Sequence, residues 1–223
     1  MPDVSGQAAR ATGSACPVSD GGAHRLGWGF ISLYAAAYMS TILLLLAPLL
    51  VTLALKVEAL VGIDRAPNSL ALVAGLGALV AMVGNPFFGR MSDRTVSRLG
   101  MRRPWMVVGL LGGSLGIVVV ALARSVPAVL VGWCVAQLFF NALQAALVAV
   151  VPDQVPVGQR GLVAGVLGVC LPIASVSGTF LVQLFTGNEV AMFLAPCAIG
   201  GLFILLFVVT LDDRRLDRAR RPS

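Results

Sequence analysis

The sequence predicts an all-α polytopic membrane protein with six transmembrane helices, and three observations predict it. The chain is 58% hydrophobic and only 12% charged, against about 25% charged for an ordinary soluble domain. Its aliphatic residues fall in runs of roughly 20, the length that crosses a bilayer. The arginines and the single lysine gather between those runs and at the chain ends. A net charge of +6 is therefore read as a topology signal, with no nucleic-acid partner needed to explain it.

Residues 1–24 are Gly/Ser/Ala-rich and polar, with no apolar stretch of their own, and are expected to be a disordered cytoplasmic tail. They lack the layout of a cleaved signal peptide. The membrane domain is placed at 25–211, with spans at about 27–55, 68–88, 104–123, 127–151, 161–185 and 190–211. None of these spans carries a charged residue in its interior. Residues 212–223 form a short basic tail. An even number of spans puts both ends of the chain on one side. The tails and the 2–3 and 4–5 loops hold thirteen of the cations; Lys56, Arg65 and Arg124 are left for the other side. That imbalance predicts cytoplasmic termini in a plasma (inner) membrane. Trp28 and Trp105 fall at the inner ends of spans one and three, where interfacial tryptophans belong.

Small residues mark where helices approach closely. Span three offers Gly109, Gly112, Gly113 and Gly116, and span five offers Gly161, Gly165 and Gly168; both contain Gly-x-x-x-Gly, a spacing that brings backbones together in lipid. Generic helix packing explains both stripes. Pro48, Pro172 and Pro196 predict bends in spans one, five and six. Cys16, Cys134, Cys170 and Cys197 are scattered singly, three of them in apolar runs. They read as small buried hydrophobes and not as disulfides or metal ligands.

The most informative stretch is 84–104, Gly-Asn-Pro-Phe-Phe-Gly-Arg-Met-Ser-Asp-Arg-Thr-Val-Ser-Arg-Leu-Gly-Met-Arg-Arg-Pro. One carboxylate, Asp93, sits among Arg90, Arg94, Arg98, Arg102 and Arg103. The order Gly-x-x-Ser-Asp-Arg…Gly-x-Arg-Arg-Pro resembles the motif between helices 2 and 3 of the major facilitator superfamily. Its long form is most similar to the branch containing sugar–cation symporters (glycoside-pentoside-hexuronide and sucrose-transporter-like), although Met101 stands where another arginine is common. A second match, Val-Pro-Asp-Gln-Val-Pro…Gln-Arg-Gly over 151–161, resembles the helix 4–5 junction of the same transporters. The resemblance implies that Gly89, Asp93, Arg94, Arg98, Gly100, Arg102 and Arg103 form a gate loop. In it Asp93 caps a helix of the opposite half, with Arg94 and Arg103 as its partners. It also implies that Asp153, Arg160 and Gly161 form the junction, with Asp153 free to pair with a loop arginine. Without that role, the loop would only fix topology.

A polar stripe crosses span four. Gln137, Asn141 and Gln144 share one helical face, and Tyr34, Tyr38 and Thr41 repeat the spacing on span one. Amides at mid-membrane need a partner or a water-filled cavity. Two readings stay open: a cavity for a small polar solute such as a sugar, or hydrogen bonding between helices with no ligand. Glu58, Asp64 and Glu189 are placed in outer loops. No intramembrane ionisable group is therefore left for cation coupling, whereas facilitated diffusion requires none. The one histidine, His24, precedes the first span, and no His-Glu pair, Ser-His or Ser-Lys dyad, Cys-x-x-Cys or Walker loop is present. No enzyme, cofactor or metal site is expected.

The resemblance covers one six-helix half, expected to be two inverted three-helix repeats. In the family two such halves enclose the substrate, and the tail beginning at Asp212 resembles the start of the linker between them. Three alternatives follow. A second copy completes the transporter, a separately encoded C-terminal half does so, or the chain is a non-transporting interaction protein or truncated remnant.

Overall fold

A computed structural model describes residues 26–94 and 101–211, and of Asp93 the backbone alone. Arg98, Gly100 and both tails lie outside the described residues. Six helical stretches are long and apolar enough to cross a membrane. The first runs from Trp28 to Val61 as α1 (Trp28–Ala47), a π-helical turn (Pro48–Thr52) and α2 (Leu53–Val61). Then come α3 (Ala66–Arg94), α4 (Arg103–Leu122), α5 (Val126–Val148) with the short α6 (Val150–Gln154), α7 (Val157–Leu184) and α8 (Glu189–Thr210).

Local chemistry sets the boundaries. Pro48 has no N–H to give the carbonyl one turn earlier, and its own oxygen accepts from Leu53 N; the turn widens to π and the helix continues. The first span therefore does not stop near 55. It reaches Gly62, whose φ of +78° ends the helix in a conformation that glycine adopts without strain. Lys56 and Glu58, expected in a loop, are thus helical residues of this span. Pro152 likewise removes the donor to Val148, and the fourth span breaks at Ala149 before resuming as α6. Pro104 and Pro127 occupy the first turns of α4 and α5, where a missing N–H costs nothing. Asn188 caps α8 by accepting from Ala191 N at 3.1 Å. Pro86 lies inside α3, as Pro172 and Pro196 lie inside α7 and α8.

The helices pack by exchange between two three-helix repeats. α1, from the first repeat, lies on α7 and α8 of the second; α5, from the second, lies on α3 and α4 of the first. α4 and α8 close the bundle behind them. This three-plus-three arrangement is the one the resemblance implies. The α4–α5 contact depends on glycine: a methyl added at Gly109 would stand 2.7 Å from Leu143 N, and one at Gly116 2.5 Å from Ala136 N. Phe139 and Phe140 fill the space beside Gly112 and Gly113. Trp133, Phe140, Tyr34, Phe193 and Phe207 anchor the apolar core.

Coverage is uneven. Only 17% of the apolar stretch of α3 and 22% of that of α7 is buried inside the unit, against 44–50% for the other four.

Candidate functional site

At the arginine-bearing end, three helices meet on one guanidinium. Arg102, the residue before α4, is 6% exposed. Its Nε donates to Asp153 Oδ2 of α6 at 3.0 Å, and another nitrogen donates to Ser92 Oγ of α3 at 3.0 Å. A planar fork reaches both at once; a lysine ammonium has no such geometry. Asp153 is half exposed, so water screens the pair, and its worth falls toward that of a surface ion pair. Asp153 thus has Arg102 as its arginine, and Ser92, part of the quoted motif but assigned no role, is the third member.

The neighbouring residue works elsewhere. Arg103 donates to the carbonyls of Leu211 and, at 3.4 Å, Val209, covering the last acceptors of α8 with a cation at the negative end of its dipole. Arg160 donates to Val155 O and Pro152 O, both at 3.1 Å, so it braces the α6–α7 turn. Gln159, beside it, ties that turn to the start of the first span. Its Oε1 accepts from Leu26 N at 2.9 Å, and its Nε2 donates to Leu26 O at 3.4 Å. Gly89 is half-buried on α3, Arg94 ends that helix exposed, and Gly161 is exposed on α7.

The mid-bundle stripe is more deeply seated than its polarity implies. Gln137 and Asn141 are 8% and 6% exposed. Asn141 Nδ2 donates to Gln137 O at 2.7 Å and to Gln137 Oε1 at 3.2 Å. Tyr34, fully buried, donates its hydroxyl to Leu147 O at 3.0 Å, and Thr41 donates to Ala37 O at 3.0 Å. Tyr38 and Gln144 are half-buried, and the Tyr38 ring lies 6.5 Å from that of Tyr34. The structure therefore brings Gln137 and Asn141 together and ties Tyr34 to the fourth span. Trp133, one turn before Gln137, was not singled out from sequence. Its buried Nε1 has no hydrogen-bond partner among the described residues.

The α7 glycines differ from those of α4. A methyl placed on Gly158, Gly161, Gly165 or Gly168 meets nothing within 4 Å. Beside this stripe, an apolar groove of about 540 Å³ runs between α1 and α7, lined by Ala36, Met39, Val169, Ile173 and others.

A family model, the Major Facilitator Superfamily, matches residues 26–223. The chain belongs to that superfamily. Its six described spans and the exchange between repeats are those of a superfamily half. Among the described residues no group of three His, Cys, Asp or Glu is placed to hold a metal ion. No curated protein matches the chain.

Proposed function

We propose that this six-helix unit carries a small polar solute across the membrane by alternating access, completed by a second copy of itself around a parallel two-fold axis. The observation that carries the proposal is the bare face of α7, whose glycines stand open along the inner half of the helix, with α3 similarly uncovered. Bare small-residue faces in lipid are where another helix packs, and a two-fold makes the contact self-complementary. α3 of one copy then lies against α7 of the other. At 1.5 Å per residue, Phe87 is about 10 Å from the end of α3 and Gly165 about 12 Å from the start of α7, so ridge and groove share a depth.

In this assembly both termini are cytoplasmic in a plasma membrane, and Asp93 approaches the partner's α7 start at Gly158–Gly161, where the helix dipole favours a carboxylate. The Arg102–Asp153–Ser92 cluster and the loop residues Gly89, Arg94, Arg98, Gly100 and Arg103 form the rest of the inner gate. Tyr38 and Gln144 present the open polar surface of the cavity, backed by Tyr34, Thr41, Gln137 and Asn141. The solute class is a sugar or similar hydroxyl-bearing molecule, as the resemblance to the sugar–cation branch implies.

A competing reading draws on one observation: the hydrogen bonds of Tyr34, Thr41 and Asn141 all return to the protein. On that reading the stripe is internal glue in a non-transporting interaction protein. Uptake of a sugar panel into liposomes separates the two. Saturable uptake that falls at least tenfold in Gln144→Ala supports transport; absence of flux across the panel from a reconstituted, dimeric protein contradicts it.

A further inference from the structure

The longest span is held at its two ends by different helices, with the π turn between them. Its inner part, α1, packs mainly on α7 and α8, and the chain two residues before α1 is pinned to α7 through the two hydrogen bonds between Leu26 and Gln159. At the far end of that contact, a methyl on Gly178 of α7 would stand 3.3 Å from Ala47 Cβ. The outer part, α2, packs on α3 and, more lightly, on α5. There Lys56, 7% exposed, donates to Ala121 O of α4 at 2.9 Å and pairs with Glu189 Oε1 of α8 at 2.6 Å.

Burying an ammonium costs several kcal/mol unless its donors are used, so this geometry fixes where α2 sits. Between the anchors, Pro48 supplies no N–H, and Leu49 and Leu50 of the π turn are 36% and 49% exposed. Pro48 and Thr52 at its ends are buried, and the turn carries the widened ladder at which helices bend.

We propose that the first span is a jointed lever. α1 is seated mainly on α7 and α8, α2 on α3 and on the ends of α4 and α8 that Lys56 reaches, and the Pro48–Thr52 turn is the joint. The Lys56–Glu189–Ala121 cluster is the clamp that holds the outer arm against the ends of α4 and α8. Opening the clamp frees α2 without disturbing α1. The lever is a property of the six-helix unit and does not rest on the transport reading.

Amide hydrogen exchange read by mass spectrometry, on the full chain in nanodiscs, tests this. Glu189→Gln removes the charge pair at a half-exposed residue and leaves Lys56 its carbonyl. Exchange over Leu49–Val61 should then rise about fivefold with α1 unchanged. Gln159→Ala should accelerate the first turns of α1 and leave α2 unchanged. Lys56→Arg, which keeps the charge and two donors, should retain more of the protection than Lys56→Met. If either single-end variant accelerates α1 and α2 equally, or if Glu189→Gln leaves α2 at its original rate, the lever is overturned.

Discussion

The contrast between the two glycine stripes yields the sharpest prediction. A Cβ at Gly109 would stand 2.7 Å from Leu143 N and 2.8 Å from Phe139 O. Both are backbone atoms and neither can rotate away, so Gly109→Ala forces α4 and α5 apart. Overpacking of this kind costs about 1–3 kcal/mol, offset by about 1 kcal/mol of helix propensity gained on replacing glycine. The expected net loss is up to about 2 kcal/mol. Gly165→Ala meets no atom within 4 Å, so the same propensity term acts alone and the isolated unit is unchanged or slightly more stable. Thermal unfolding of each variant in detergent, at a concentration where the protein is monomeric, reads this difference directly. If copies associate through α7, Gly165→Leu should also lower the dimer fraction in membranes, while Gly109→Ala lowers stability in monomer and dimer alike. Equal losses at Gly109 and Gly165 in the monomer would refute the packing argument.

Arg102→Lys keeps the charge but cannot reach Asp153 and Ser92 together. It should destabilise the unit by about 1 kcal/mol, and adding Ser92→Ala should then cost little more; full additivity in that double-mutant cycle would disprove the shared fork. Tyr34→Phe removes the donor to Leu147 O while leaving the ring stacked in the core. Leu147 O still accepts from Ala149 N, so the loss is that of one buried hydrogen bond, about 0.5–1.5 kcal/mol, read as a lower unfolding midpoint, and a variant as stable as the parent would show that the hydroxyl holds nothing.

Much of the fold was legible because lipid restricts backbone to helix and makes span length a direct signal. The spans near Arg103, Val126 and Glu189 start within a residue of the sequence expectation. The misplacement of Lys56 has a specific cause. An isolated lysine after an apolar run marks a membrane boundary unless a partner is known, and its partners come from residues 121 and 189, far away in the chain. The opposite fates of the two glycine stripes were equally hidden, since identical spacing says nothing about which stripe its own neighbours fill. In the arginine loop the charge pattern marked a region but not its pairings. It could not assign Arg102 to Asp153 and Arg103 to the end of α8, because that choice depends on which way two adjacent side chains leave the backbone. The polar stripe showed its face from spacing alone. Whether its amides meet each other or a solute is a question of rotamers, which spacing does not carry.

Disulfide trapping between two copies tests the central claim most directly. In a background with Cys16, Cys134, Cys170 and Cys197 replaced, one copy carries Asp93→Cys and the other Gly158→Cys, a position that is exposed and open. Gln159 is avoided because its amide holds Leu26. Efficient formation of the heterodimeric adduct in native membranes is the predicted result. Both chains present in the membrane at normal abundance, with no adduct after oxidation, would contradict a transporter rebuilt from two copies.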